Sequence, residues 1–381
     1  MKKILAACGG YVRSLDKWLL LLWVSASGCS VLFLYGLFTS GLISDASTVT
    51  KQAIFSALGL FVAIIVSLID YHFILKLWKI FCPAAVVLVL LTLVFGSDAR
   101  SDRAWLEFSI GSFSTSLQPS EFLKISFIAT MTIHINKVKE NLNNPIQLLL
   151  LGAHAMAHVA LIQLQGDSGS ALIFLFIFLI LIFFSGISWK YIAAALAALG
   201  PALYVVWFHI MTLDQQMRFR ILNNPELDAA YAYQQTQGKL ALGLGGLQGT
   251  GIFAGRHVRV PEIYNDFIFT FIGEATGFMG CLGVIVLLAG IAFKILYNSS
   301  HAIDDSGRLL CVGVFAMMLS QVSINLGMCL SLTPVVGVTL PLFSAGGSSV
   351  IALYLGLGLV LSVYGHSGTG LFYTDTGLKT F

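Results

Sequence analysis

The stretch KWLLLLWVSASGCSVLFLYGLFT, residues 17–39, has one charged residue, Lys17, at its edge. About 20 mostly apolar residues are what a helix needs to cross the hydrocarbon of a bilayer. Reading outward on that scale gives ten candidate spans, roughly 17–39, 52–70, 75–96, 119–136, 146–164, 169–186, 189–211, 267–295, 309–332 and 346–365. The fourth is weakened by Glu121 and Lys124, and the sixth is short. The sequence predicts an all-α integral membrane protein of about ten transmembrane helices, one polytopic domain over 1–381.

Composition agrees. The 381 residues are 57% hydrophobic and 10% charged, with mean hydropathy +0.88, where a soluble domain is usually about 25% charged. A net charge of +3 from 21 basic and 18 acidic residues, with no dense basic run, argues against nucleic acid as a partner. Cys8, Cys29, Cys82, Cys281, Cys311 and Cys329 form no CxxC pair, and all but Cys8 lie in apolar runs, so neither a disulfide framework nor a zinc site is expected. Leu5-Ala6-Ala7-Cys8 resembles a lipoprotein cleavage site, but the apolar stretch before it is too short for a signal core. Residues 1–16 and 366–381 read as tails.

Orientation follows from basic residues in the short loops. With the N-terminus inside, Lys2, Lys3, Arg13, Lys17, Lys76, Lys79, Lys137, Lys139, Lys190, Lys294, Arg308 and Lys379 are cytoplasmic, against Lys51, Arg100 and Arg103 outside. Both tails are then expected in the cytoplasm, and the long loop 212–266 faces outward. Loops of that length are more often functional or disordered than idle. Its scattered apolar residues, among them Phe219, Ile221, Leu240 and Leu244, predict one or two short helices lying along the membrane surface.

Ionisable groups inside a membrane are costly, so each invites a functional reading. Glu121 and Lys124, at i,i+3, share a helix face as an ion pair that can be structural or functional. Trp105 stands between charges where either an interfacial anchor or a site residue would stand. Asp167 can cap the sixth helix, contact a ligand, or do both. Asp266 opens the eighth span, and on a helix it shares a face with Thr270, Gly273, Glu274 and Gly277, either as a cavity wall or as a cap with a satisfied Glu274. His154 and His158 lack the intervening Glu of a zinc helix and are expected to bond between helices. Gly249-Thr250-Gly251-Ile252-Phe253-Ala254 fits the GxGxxA letters without a preceding strand, so no nucleotide site follows. Two prolines and three glycines in 334–349 forbid a continuous helix; the N–H groups of this broken segment and of the helix start at Ser348 and Ser349 either receive an anionic group such as a phosphate or serve structure alone.

Taken together, Gln118-Pro119-Ser120-Glu121 with Lys124, the Gln165–Ser170 turn, Tyr233-Gln234-Gln235-Thr236-Gln237 before Gly245-Gly246, Asn265-Asp266-Phe267-Ile268-Phe269, Gly273-Glu274 and Leu340–Ser349 resemble the SEDS family, the RodA/FtsW/SpoVE group of bacterial cell-wall proteins. The similarity spans nearly the whole chain. It implies a peptidoglycan glycosyltransferase that polymerises lipid II on the outer face of the cytoplasmic membrane, for cell elongation or division. It also implies that Asp266 is the catalytic residue, that Trp105 is required, and that the Glu121–Lys124 pair supports activity. A class B penicillin-binding protein, a transpeptidase, is the implied partner alongside the lipid bilayer.

Ala275 and Ala345 stand where the family often has a second acid and a tyrosine, which bears on subfamily more than on chemistry. The Gly245-Gly246-Leu247 and Leu332-Thr333-Pro334-Val335 stretches look closer to RodA than to FtsW. The expected reaction inverts the anomeric centre, with Asp266 as general base. Arg218, Arg220 and Lys124 are candidates to carry the charge of the leaving pyrophosphate; a divalent cation could share it, and no other cofactor is implied. Asp167, Gln237, Glu274, Ser348 and Ser349 are the supporting candidates. The competing reading is a lipid II flippase or transporter, which ten helices with a broken segment would also suit.

Overall fold

The computed structural model describes residues 15–96, 103–110 and 113–367. The expected tails, apart from Leu15, Asp16, His366 and Ser367, and the cleavage-like Cys8 stretch lie outside the described residues. Every expected span is met by helix: α1 (Lys17–Thr39), α2 (Ser47–Leu68), α3 (Tyr71–Lys76) followed by α4 (Trp78–Phe95), α5 (Pro119–Val138), α6 (Pro145–Leu164), α7 (Ser168–Phe184), α8 (Trp189–Val205), then α11 (Ile268–Ser300), α12 (Asp305–Cys329) and α13 (Gly347–His366). Among the described residues eight helices are long and apolar enough to cross a membrane. The two spans left over are the weak ones: α5, which carries buried charge, and α7, which has only 17 residues.

The third span differs in detail, because Leu77 separates a one-and-a-half-turn α3 from α4. Between α4 and α5 lies an antiparallel hairpin, β1 (Leu106–Ile110) and β2 (Phe113–Leu117), in the register Leu106↔Leu117. In the long loop, where one or two short helices were expected, fold α9 (Leu213–Asn223) and the longer α10 (Ala229–Gly245).

Contacts at the helix ends show how the spans alternate. At one end Asp16 caps α1 and meets Lys294 at 3.0 Å and Asn298 at 2.8 Å. There too Tyr71 and His72 meet Asp304, Lys139 pairs with Asp305, Arg308 Nη1 donates to Phe184 O, and Ser362 Oγ donates to Ile69 O. At the other end Gln118 Nε2 donates to Asp167, Gln215 Nε2 to Ser168 Oγ, and Arg218 Nη1 to Val335 O. Asp16 and Ser362 thus lie at one end, as an even number of crossings requires.

The interior centres on α12 and α13, whose helix faces are buried on most sides, whereas α8 has no buried residue. Close approach of α2 to α13 depends on small residues: a Cβ at Gly358 would meet Val66, and one at Gly59 would meet Tyr354. His134 Nδ1 and His154 Nδ1, 3.2 Å apart, join α5 to α6, the interhelical bond expected of His154, whereas His158 Nδ1 bonds His154 O at 2.9 Å within α6 and does not meet that expectation.

Candidate active site

Asp266 is partly buried in the turn that precedes α11. The expectation that it shares a helix face with Glu274 is corrected here, because α11 begins only at Ile268. Glu274 is buried and faces elsewhere. Its two carboxylate oxygens accept from Val258 N at 3.0 and 3.2 Å, and His257 Nδ1 lies 3.6 Å from Oε1. It therefore ties the loop down, and it is not the second carboxylate of a cavity wall.

α11 is also broken. Gly277 has φ 68° and ψ −167°, which frees main-chain groups of the turns around it. The stretch 246–251 takes them up: Thr250 N and Gly251 N donate to Glu274 O and Ala275 O at 2.8 and 2.9 Å, and Phe278 N donates to Gly246 O at 2.9 Å. Inside a membrane such groups must be matched by protein, so the glycine-rich stretch completes a broken membrane helix.

Facing Asp266 is the segment 334–346, extended and then turned, as its prolines and glycines predict. A Cβ at Gly337 would lie 3.8 Å from Asp266 Oδ2, so the carboxylate looks onto this main chain. Ser344 Oγ donates to Asn265 O at 2.6 Å and accepts from Leu340 N at 2.7 Å, while Ala345 N donates to Tyr264 O at 2.8 Å. From below, Ser30 Oγ donates to Phe343 O at 2.7 Å, and Gln52 Nε2 donates to Ser30 Oγ and Ser344 O. Among the described residues the non-glycine residues with positive φ are Glu262, Ser331 and Leu342, all in the segments around this site. Backbone held in rare conformations clusters at functional sites.

The other predicted residues divide into groups. Asp167 caps α7, Oδ1 accepting from Ser170 N at 2.8 Å, and its Oδ2 accepts from Gln118 Nε2 at 2.9 Å. Gln118 N in turn donates to Ser348 Oγ at 3.0 Å, and Ser349 Oγ donates to Gly346 O. Glu121 and Lys124 form a buried pair at 2.7 Å, with Lys124 0% exposed, so its charge is already matched. Arg218 is spent partly on Val335 O at 2.9 Å. Arg220 lines a cavity of about 600 Å³ with Trp207, Phe219, Asn223 and Ser331, and it is the more exposed cation. Trp105 is partly buried just before β1. Gln237 is partly buried on α10, while Gln235 two positions earlier is the buried one, its amide bridging Met328 O and Thr333 O at 3.2 and 2.9 Å.

Sequence reasoning missed Ser30, Gln52 and Asn325, and quoted Gln118 and Gln235 within motifs without giving either a role. Each is a neutral polar residue beside or inside an apolar run, and a search confined to charges passes over them. Among the described residues no group of three or more His, Cys, Asp or Glu is arranged to hold a metal ion.

Residues 17–368 match the family model FTSW_RODA_SPOVE, described as a cell cycle protein. The chain is 30% identical over 321 residues to peptidoglycan glycosyltransferase MrdB of Escherichia coli (strain K12), covering 81% of this chain and 84% of the relative. A solved chain from a peptidoglycan synthase complex, in which polymerization and crosslinking are coordinated, superposes with a TM-score of 0.78 at 26% identity, covering 93% of this chain and 98% of that one. The rod shape determining protein RodA of Thermus thermophilus superposes with a TM-score of 0.66, at the same identity and coverage.

Proposed function

This chain belongs to the FtsW/RodA/SpoVE family, and from that premise we propose that it is a peptidoglycan glycosyltransferase that polymerises lipid II into glycan strands. It is a multi-pass protein of the bacterial cytoplasmic membrane. The observation that carries the reading is the turn of Asp266, a carboxylate held at the mouth of the bundle against the main chain of 334–346.

Asp266 accepts the proton of the incoming sugar 4-hydroxyl as that oxygen attacks the donor anomeric carbon and the bond to pyrophosphate breaks. Arg220, exposed at its cavity, and Arg218 on the same helix α9 are the cations that would meet negative charge on the leaving group. Main-chain N–H groups of 334–346 and the start of α13 supply further donors. The excess of basic residues at the Asp16 end puts that end in the cytoplasm, and the site then faces outward, where the lipid-linked substrate is displayed. A class B penicillin-binding protein is the proposed partner, and the closer likeness of the 245–247 and 332–335 stretches to RodA favours elongation over division.

The test is the full-length protein reconstituted in vesicles with fluorescent lipid II. A ladder of glycan polymers supports the reading. Movement of labelled lipid between leaflets with no polymer would instead establish a flippase.

A further inference from the structure

Asn325 is 0% exposed on α12. An amide buried in a membrane helix is costly unless its polar atoms are matched, and here both of its hydrogens are. Nδ2 gives one to Asp266 O at 2.8 Å and the other to Val338 O at 2.7 Å, while Cys329 Sγ, with one hydrogen to share, lies 3.5 Å from Asp266 O and 3.8 Å from Asn325 Oδ1. Neither main-chain carbonyl belongs to a helix: one lies in the turn before α11, the other in the extended segment.

Holding the carbonyl of Asp266 fixes the direction in which its side chain leaves the backbone. Holding that of Val338 fixes the neighbouring Gly337, whose added Cβ would lie 3.8 Å from Asp266 Oδ2. We propose that Asn325 is a positioning residue for the reaction: by joining the main chains of residues 266 and 338 it sets the separation and direction of the Asp266 carboxylate relative to the segment it faces. The proposal rests on Asp266 being the general base. Ser344 and Ala345 tie the neighbouring Asn265 and Tyr264 independently, so the turn remains folded without the amide. The carboxylate alone loses its setting.

The test compares full-length wild type, Asn325→Leu, Asn325→Gln and Asp266→Asn in polymerisation of lipid II. Leu keeps the branching at Cγ, though it is larger, and removes both donors; kcat is expected to fall about 100-fold, the usual effect of misplacing a reacting group by an ångström. KM is expected to stay within about twofold, because ground-state binding is untouched. Gln, which retains both donors on a longer stem, is expected to recover part of the rate. Wild-type kcat in Asn325→Leu, with Asp266→Asn inactive, would overturn the positioning role while leaving the catalytic assignment intact. An active Asp266→Asn would instead overturn the catalytic assignment, and the proposal with it. Gln no better than Leu would show that the donors are not the cause. Should Leu fail to fold, Asn325→Ser is read in its place with the same expectation; failure of both to fold would make Asn325 a packing residue and overturn the proposal.

Discussion

At the scale of single residues, the Glu121–Lys124 pair shows what a charge inside the membrane entails. Breaking a buried pair leaves the remaining charge unmatched, a cost of about 3–5 kcal/mol, whereas replacing both partners by apolar groups is often neutral. Lys124→Met is therefore expected to lower the melting temperature sharply, and Glu121→Leu combined with Lys124→Met to recover much of the loss, measured on purified protein in detergent. At the opposite end, outside the spans, His72 sits between Asp304 at 3.1 Å and Asp70 at 2.9 Å. Its hydrogen bond to Asp304 raises its pKa above the ordinary 6.5, with Asp70 adding to the effect against partial burial. Burial opposes the Asp304 charge, yet bonds from His72, Tyr71 and Gly307 N–H outweigh it and hold its carboxyl well below the usual range. The His72 contribution is complete below 6.5 and lost as pH rises through the raised value. The Asp304 contribution is present above the ordinary carboxylate value and is lost only as pH falls through the depressed one. Melting temperature is thus expected to decline in wild type as pH rises above 6.5 and to flatten there in His72→Ala. An unchanged slope in the variant would contradict this assignment.

At the scale of elements, the decisive piece is the broken α11. Gly277 occupies a region of backbone space that only glycine tolerates, and a Cβ there would meet Gly249 N and Leu247 C at 2.5 Å. Gly277→Ala is expected to cost more than the 1–3 kcal/mol of the strained conformation alone, because the 246–251 stretch must also be pushed away; faster proteolysis within 246–266 is the measurement. The break was only partly legible in the sequence. The glycine-rich 243–251 stretch signals turns, but its pairing with α11 depends on a tertiary contact that no local pattern encodes. For the same reason Asp266 and Glu274 read as one helix face and do not form one. The 334–346 segment was legible because proline and glycine act locally. The 106–117 hairpin had a readable signal, the alternation Leu106-Glu107-Phe108-Ser109-Ile110, which the search for apolar runs passed over.

For the whole molecule, ten apolar runs became helices, eight of them among the described residues long and apolar enough to cross a membrane, because lipid obliges each segment to satisfy its own backbone; the helical runs were therefore the most legible property. Orientation rests on basic residues at the Asp16 end and is open to direct test: a cysteine at Lys239 should react with a membrane-impermeant maleimide in intact cells, and one at Lys190 only after permeabilisation. The site was legible in its charges and illegible in its amides and hydroxyls, because Ser30, Gln52 and Asn325 act through main-chain groups distant in sequence. The central claim is that this bundle is a polymerase whose chemistry runs through one carboxylate. Its most direct test is glycan synthesis from lipid II by purified wild type and Asp266→Asn, matched for melting temperature. Polymer from wild type and none from the variant is the predicted result; equal rates from both would contradict it.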